Sequence, residues 1–232
     1  MAHLPPFWHA AAQLTGRIDL QPHLDRCSVP DSIQSRASQS GPLWVNDPFI
    51  TLQDDRYPPG LRPVPYCPPV LFVRGNLGLL DRPAVAIVGA RRCTGNGQKL
   101  AHRISRGCAV LGGVTVSGMA YGIDQAAHLA APGSTIAVLG QGLNAPMSTH
   151  QQRLADSILE DGGLLVSEFL PSHPAHRWTF PLRNRVIAGL GRATVIVEAG
   201  SRSGALHTAR HALDAGRDVL AVPGSPLAPS SA

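Results

Sequence analysis

From Ala84 onward, short apolar runs alternate with amphipathic stretches. The runs predict strands at Ala84–Gly89, Val114–Ser117, Thr135–Leu139, Leu164–Ser167, Thr194–Glu198 and Asp218–Val222. They are rich in Val and Ile and apolar at successive positions, the pattern of strands buried on both faces of a parallel sheet. Between them the spacing predicts helices over Gly97–Leu111, Ile123–Ala130, Gln151–Glu160, Asn184–Leu190 and Ser203–Ala215. Six strands with interleaved helices predict a Rossmann-like, doubly wound, mostly parallel α/β sheet. Right-handed crossovers then gather the strand-to-helix loops at one edge, where ligands bind in such sheets. Upstream, residues 51–80 form a proline-broken extended segment ending in a further short strand, Val70–Gly75. Residues 1–50 are weakly patterned, and 27–42, rich in Ser, Pro, Gln and Gly, read as a linker. The expected organisation is an irregular N-terminal extension (1–50), a Rossmann-like unit (51–224) and a short tail (225–232).

Length and composition fit this reading. A chain of 232 residues suits one α/β domain plus an extra segment, and a 44% hydrophobic share allows a sizeable core. Aromatics at 5% argue against a binder built on rows of stacking rings. The formal charge is +5, and all but Lys99 of the 20 basic residues are arginines. Arginine suits phosphate, since its planar fork matches two oxygens at once, although a GC-rich genome would give the same bias. The four cysteines show no CxxC spacing, so reduced thiols in a cytoplasmic protein are expected. Pro5, Pro6, His9 and Arg17 interrupt the first twenty residues, so neither a signal peptide nor a membrane span is expected. The ten histidines form no HxH or HExxH, and P-loop and G-x-S-x-G elbow are both lacking. No metal or cofactor is expected.

Four loops at the predicted carboxyl edge carry candidate chemistry. In Val88–Gly97, Gly89 permits a tight turn and Arg91 and Arg92 follow it. Amides at the next helix start could hold an anion there. In Ser117-Gly-Met-Ala-Tyr-Gly-Ile-Asp124, Gly118 and Gly122 bracket a small-residue turn. Asp124 and His128, four apart on one helical face, could pair; the pair either does acid–base work or simply complements the helix start. The long loop Glu168–Leu182 and the helix after it interleave Arg177, Arg183 and Arg185 with Trp178 and Phe180. Arginines neutralise phosphates while a ring stacks on a base. Trp178 alternatively anchors the loop, whereas Pro181 favours an extended backbone around Phe180. In the fourth loop Glu198 ends a strand and Ser203 and Gly204 open a helix carrying Thr208. That helix start is an anion seat, or Ser203 and Thr208 cap and pack while Glu198 pairs with Arg183 or Arg185.

Taken in order, these stretches resemble the DprA/Smf family. Gly89-Ala90-Arg91 is similar to its Gly-Ser-Arg turn, with Ala in place of Ser. Ser117–Asp124 with His128 is similar to S-G-x-A-x-G-I-D-x-x-A-H, and Phe180–Arg185 to F-P-x-R-N-R. Thr135–Gly140, the pair Ser167-Glu168, Glu198–Thr208 and Val222-Pro-Gly224 match further motifs, so the resemblance runs from about Leu52 to Gly224. It implies an extended Rossmann domain that binds single-stranded DNA, forms homodimers and loads the RecA recombinase onto incoming DNA in natural transformation, without catalysis. It further implies a phosphate on Arg91, a DNA contact at Arg177, a base on Phe180, and Arg183, Asn184 and Arg185 lining or shaping one pocket. Gly89, Arg92, Ser117, Gly118, Gly122, Ser203 and Gly204 complete the expected DNA-binding set. Asp124, His128, Glu198 and Thr208 support it.

Departures accompany the match. Pro146–His150 stands where the family carries Tyr-Pro and often a basic residue. Residues 1–50 lack the family's helix-hairpin-helix pattern. The chain stops eight residues past Gly224, which would leave the dimer and RecA surfaces incomplete, as in a degenerate copy of the fold. A competing reading is a phosphoribohydrolase-type enzyme seating a nucleotide at Ser203, Gly204 and Thr208 with Glu198 as acid or base, although the P-G-G-x-G-T signature of such enzymes is missing.

Overall fold

The structure is a computed structural model and describes residues 48–224. The expectations for 1–47 and 225–232 lie outside the described residues. One mixed sheet holds β1 (Phe49–Thr51), β2 (Val70–Gly75), β3 (Ala84–Val88), β4 (Val114–Ser117), β5 (Thr135–Val138), β6 (Leu164–Ser167), β7 (Ala193–Ile196) and β8 (Asp218–Ala221). Its order is β1-β2-β6-β5-β4-β3-β7-β8. The strands from β3 onward pair in parallel, while β1 and β2 add an antiparallel end, with Phe72 opposite Ser167 in the β2–β6 register. The helices are α1 (Gly95–Val110), α2 (Ile123–Leu129), α3 (Thr149–Glu160), α4 (Thr179–Leu190) and α5 (Ala205–Asp214).

Alternation along the strands sorts the core into two faces. Ala86, Val88, Ile136, Val138 and Val166 point toward Val186 and Ile187 of α4 and Ala205 of α5. Ile87 and Val195 face Ala101 of α1 and Ala127 of α2, while Ala137 and Leu165 face Leu154 and Ile158 of α3. The chain winds from β3 through β6 in one direction and then returns, by way of α4, to lay β7 on the other side of β3. The strand order therefore reverses between β3 and β7, and the crevice above their carboxyl ends is where such sheets bind ligands.

Three expectations need correction. β1 straddles the expected boundary at residue 50, so the folded body starts no later than Phe49. β8, expected to be buried on both faces, stands at the end of the sheet among the described residues, and Leu220 is 55% exposed there. The helix expected from Asn184 begins at Thr179, with Pro181 inside its first turn. Proline is tolerated there because the first N–H groups of a helix have no intrahelical partner to lose. Thr179 secures the entry: its hydroxyl donates to His176 O (2.8 Å) and accepts from His176 N (3.2 Å).

Candidate functional site

A cavity of about 1080 Å³ opens at this switch point. The turn after β3 supplies Gly89, Ala90, Arg91 and Arg92; α4 and the turn before it supply Arg177, Phe180, Arg183 and Asn184. The loop after β7 and the start of α5 supply Arg202, Ser203, Gly204, His207 and Thr208. Five arginines thus face one aspartate, Asp124. The positive end of the α5 dipole adds to that field.

Two glycines let the turns come together. A Cβ on Gly89 would lie 2.6 Å from the Ile123 side chain, and one on Gly122 (φ +80°) would lie 2.4 Å from the Ala90 carbonyl oxygen. The β3 turn is clamped from the β7 side, where Ala90 N donates to Glu198 O (2.7 Å). The Glu198 carboxylate accepts from Thr94 N (2.9 Å) and from the Thr94 hydroxyl. Thr94 in turn caps α1 by accepting from Gly97 N (3.0 Å).

This overturns two expectations. Glu198 pairs with neither Arg183 nor Arg185 and does not line the cavity, so it is not placed to act on a bound nucleotide. The Thr94 amide at the start of α1, expected to be open to an anion, already holds the protein's own carboxylate. The anion-favouring helix start at the cavity is that of α5.

Arg183 is the buried cation beneath the site, 4% exposed. It donates to Gly118 O (2.8 Å), to Val138 O and to Asn184 Oδ1 (3.2 Å). Burial lowers its pKa to about 10, with Asp124 opposing the shift and Arg91 reinforcing it, so it remains charged near neutral pH. Asp124 accepts from the amides of Gly118 (3.2 Å) and Ala120 (3.4 Å). Burial pushes its carboxyl above the ordinary range, while Arg183 and backbone amides pull it back.

The expected Asp124–His128 pair does not form. The His128 Nδ1 is 2.7 Å from the Thr135 hydroxyl, and burial, aided by Arg183, drops its pKa to about 3. His128 is therefore a neutral core residue.

Several residues expected to touch a ligand lie beneath the cavity instead. Ser117 is buried and donates to Ile87 O (2.6 Å). Gly118 makes room for Arg183, whose guanidinium carbon would sit 2.8 Å from a Cβ there. Gly122 shapes the turn, as above. Arg185, 2% exposed, forms a two-pronged pair with Glu168 (2.6 and 3.2 Å) and does not line the cavity. Arg183 and Arg185, two apart in the first turns of a helix, point into different buried environments.

The aromatic residues also separate. Phe180 lines the cavity, with the Arg91 guanidinium 5.8 Å from its ring centroid and Gly140 beneath it. Trp178 is half-exposed, stacks on His176 at 5.8 Å and meets Phe169 edge-on, so it braces the loop surface outside the cavity. Sequence reasoning missed Arg202 and His207. Their signal in the sequence is adjacency to the helix start at Ser203 and Gly204.

Among the described residues no helix is long and apolar enough to cross a membrane. The model of the family described as DNA recombination-mediator protein A matches residues 48–232. The DNA processing protein DprA of Streptococcus pneumoniae is 44% identical over 183 residues, 78% of this chain and 64% of that protein. An X-ray structure of DprA from S. pneumoniae superimposes with a TM-score of 0.75 at 37% identity, covering 98% of this chain and 78% of the other. A structure of DNA processing protein A from Helicobacter pylori, described as giving insight into its single-stranded DNA binding mode, superimposes with a TM-score of 0.72 at 28% identity, covering 78% and 84%. This chain thus spans a little under two thirds of the S. pneumoniae sequence relative. A family match over residues 48–232, a 44% identical relative and a shared fold agree with the motif order, and the chain belongs to the DNA recombination-mediator protein A family, the DprA/Smf family.

Proposed function

We propose that this chain binds single-stranded DNA across the carboxyl edge of its sheet. The observation that carries the reading is the gathering of Arg91, Arg92, Arg177, Arg183 and Arg202 around one cavity with the Phe180 ring in its wall. Phosphates would sit on the four exposed arginines and the start of α5, each contact a charge-assisted hydrogen bond. Arg183, held by two backbone carbonyls, contributes fixed positive charge from below. One unstacked base would lie on Phe180. A duplex keeps its bases paired and stacked, so it cannot present one to a ring inside a cavity; a flexible strand can.

The likeness to the H. pylori protein supports a single strand as ligand. In the same reading the protein acts as a cytoplasmic homodimer that protects incoming DNA and loads RecA, with no chemistry of its own. The decisive measurement is direct. Labelled single-stranded and double-stranded oligonucleotides of one sequence are titrated with the protein in a gel shift. Preference for the single strand by tenfold or more is expected; equal affinity, or none for either, refutes the proposal.

A further inference from the structure

We infer a second base-stacking subsite at Tyr121, on the side of the Arg91 turn that faces β4 and β5; this rests on the DNA-binding reading above. Tyr121 is a large ring left 52% exposed on an otherwise tightly held turn. One face of the ring lies against the His150 imidazole, with centroids 4.6 Å apart and planes 20° from parallel. Such backing fixes the ring while leaving it accessible, which lowers the ordering cost of a base arriving on it.

The turn that carries Tyr121 is rigid for local reasons. Met119, two residues earlier, adopts φ +57°, a region costly for a side-chain-bearing residue. It is held there by its own burial among Leu139 and Leu143. Gly118 N and Ala120 N are tied to the Asp124 carboxylate, and Gln125 N to Ala120 O (3.2 Å). Gly122, one residue later, packs so closely on the Ala90 and Arg91 carbonyls that a Cβ would lie 2.4 and 2.7 Å from them. Tyr121 is therefore mounted directly beside the backbone of Arg91, and its neighbour Ala120 lines the cavity. A strand whose phosphate rests on Arg91 and whose base lies on Phe180 on one side has an adjacent nucleotide leaving on the other. Tyr121, exposed and one residue from the glycine that packs on the Arg91 carbonyl, offers that base a ring. Stacking needs only a π-face, so the subsite would be indifferent to base identity.

The test uses the full chain and fluorescein-labelled oligothymidylates of about 4 and about 16 nucleotides, which bracket known single-strand site sizes. Tyr121→Ala should weaken binding of the longer strand about tenfold and leave the shorter one unchanged. Tyr121→Phe, which keeps a ring, should restore the longer strand's affinity. Ultraviolet irradiation of a 5-iodouracil-substituted long strand should crosslink to Tyr121, read by mass spectrometry of the tryptic peptide. If Tyr121→Ala binds the long strand like the unaltered protein while Arg91→Ala is weakened, the subsite is absent and the DNA reading stands. Equal losses on both lengths make Tyr121 a support for the Arg91 turn and overturn the subsite. If the unaltered protein binds neither strand, the DNA reading fails and takes the subsite with it.

Discussion

Replacing Arg91 by Ala tests the charge argument most directly. Arg91 is exposed, lines the cavity, and sits over Phe180 rather than in a buried pair, so its removal leaves the fold's internal bonding in place. On a single strand each neutralised phosphate contributes about −0.7 to the slope of log K against log salt. Four exposed arginines on the rim, Arg91, Arg92, Arg177 and Arg202, then give a slope of about −2.8. Between about 50 and 200 mM salt the affinity of the unaltered protein should fall about 50-fold. Without Arg91 the slope should shrink to about −2.1 and the fall to about 20-fold. At the low-salt end, loss of one charge-assisted hydrogen bond, about 1.5–3 kcal/mol, should weaken binding roughly 10- to 150-fold. Fluorescence anisotropy with one oligothymidylate across a salt series reads both quantities. The slope discriminates better than the affinity, because a misfolded variant would also bind weakly. An Arg91→Ala protein that keeps the parent slope would refute the placement of a phosphate on Arg91.

Arg185→Ala should behave differently, since it strands the Glu168 carboxylate at 1% exposure. The expected cost is about 3–5 kcal/mol of stability, or roughly 10 °C in Tm for a chain of this size. A melting curve within about 2 °C of the parent would contradict that role. Stability should also depend on His128. Its folded pKa of about 3 lies below its ordinary 6.5, so between these values the unfolded chain binds the extra proton. Stability is thus fully present above the unfolded pKa and falls with acidification by up to about 1.4 kcal/mol per pH unit. Urea unfolding at several pH values between about 6.5 and 4.5 should show this slope in the parent and a shallower one in His128→Asn. Identical slopes would place the His128 titration elsewhere.

Much of the fold was legible because a parallel strand buried on both faces writes a run of apolar residues into the chain. Val114–Ser117 and Leu164–Ser167 were read to the residue. Arg91, Arg177, Phe180 and Asn184 were expected at one rim, and all line the cavity. What went astray depended on partners far away along the chain. Nothing local distinguishes β8, at the end of the sheet among the described residues, from a central strand, since sheet order is a property of pairing. Arg183 and Arg185 look alike in F-P-L-R-N-R, yet one is held by backbone carbonyls near the cavity and the other by Glu168.

The sequence by itself determined the succession of strands and helices and the edge at which its glycine- and arginine-bearing loops would meet. Those follow from side-chain periodicity and the handedness of crossovers, which act over a few residues or one βαβ unit. Only the tertiary structure decided which charges are spent inside the protein and which remain for a ligand. Glu198 finds its partner at Thr94, on the first parallel strand's turn, and that choice closes one helix start to anions and leaves the start of α5 facing the cavity. Burial and partner distance set the cost of a charge, and neither exists until the sheet has closed.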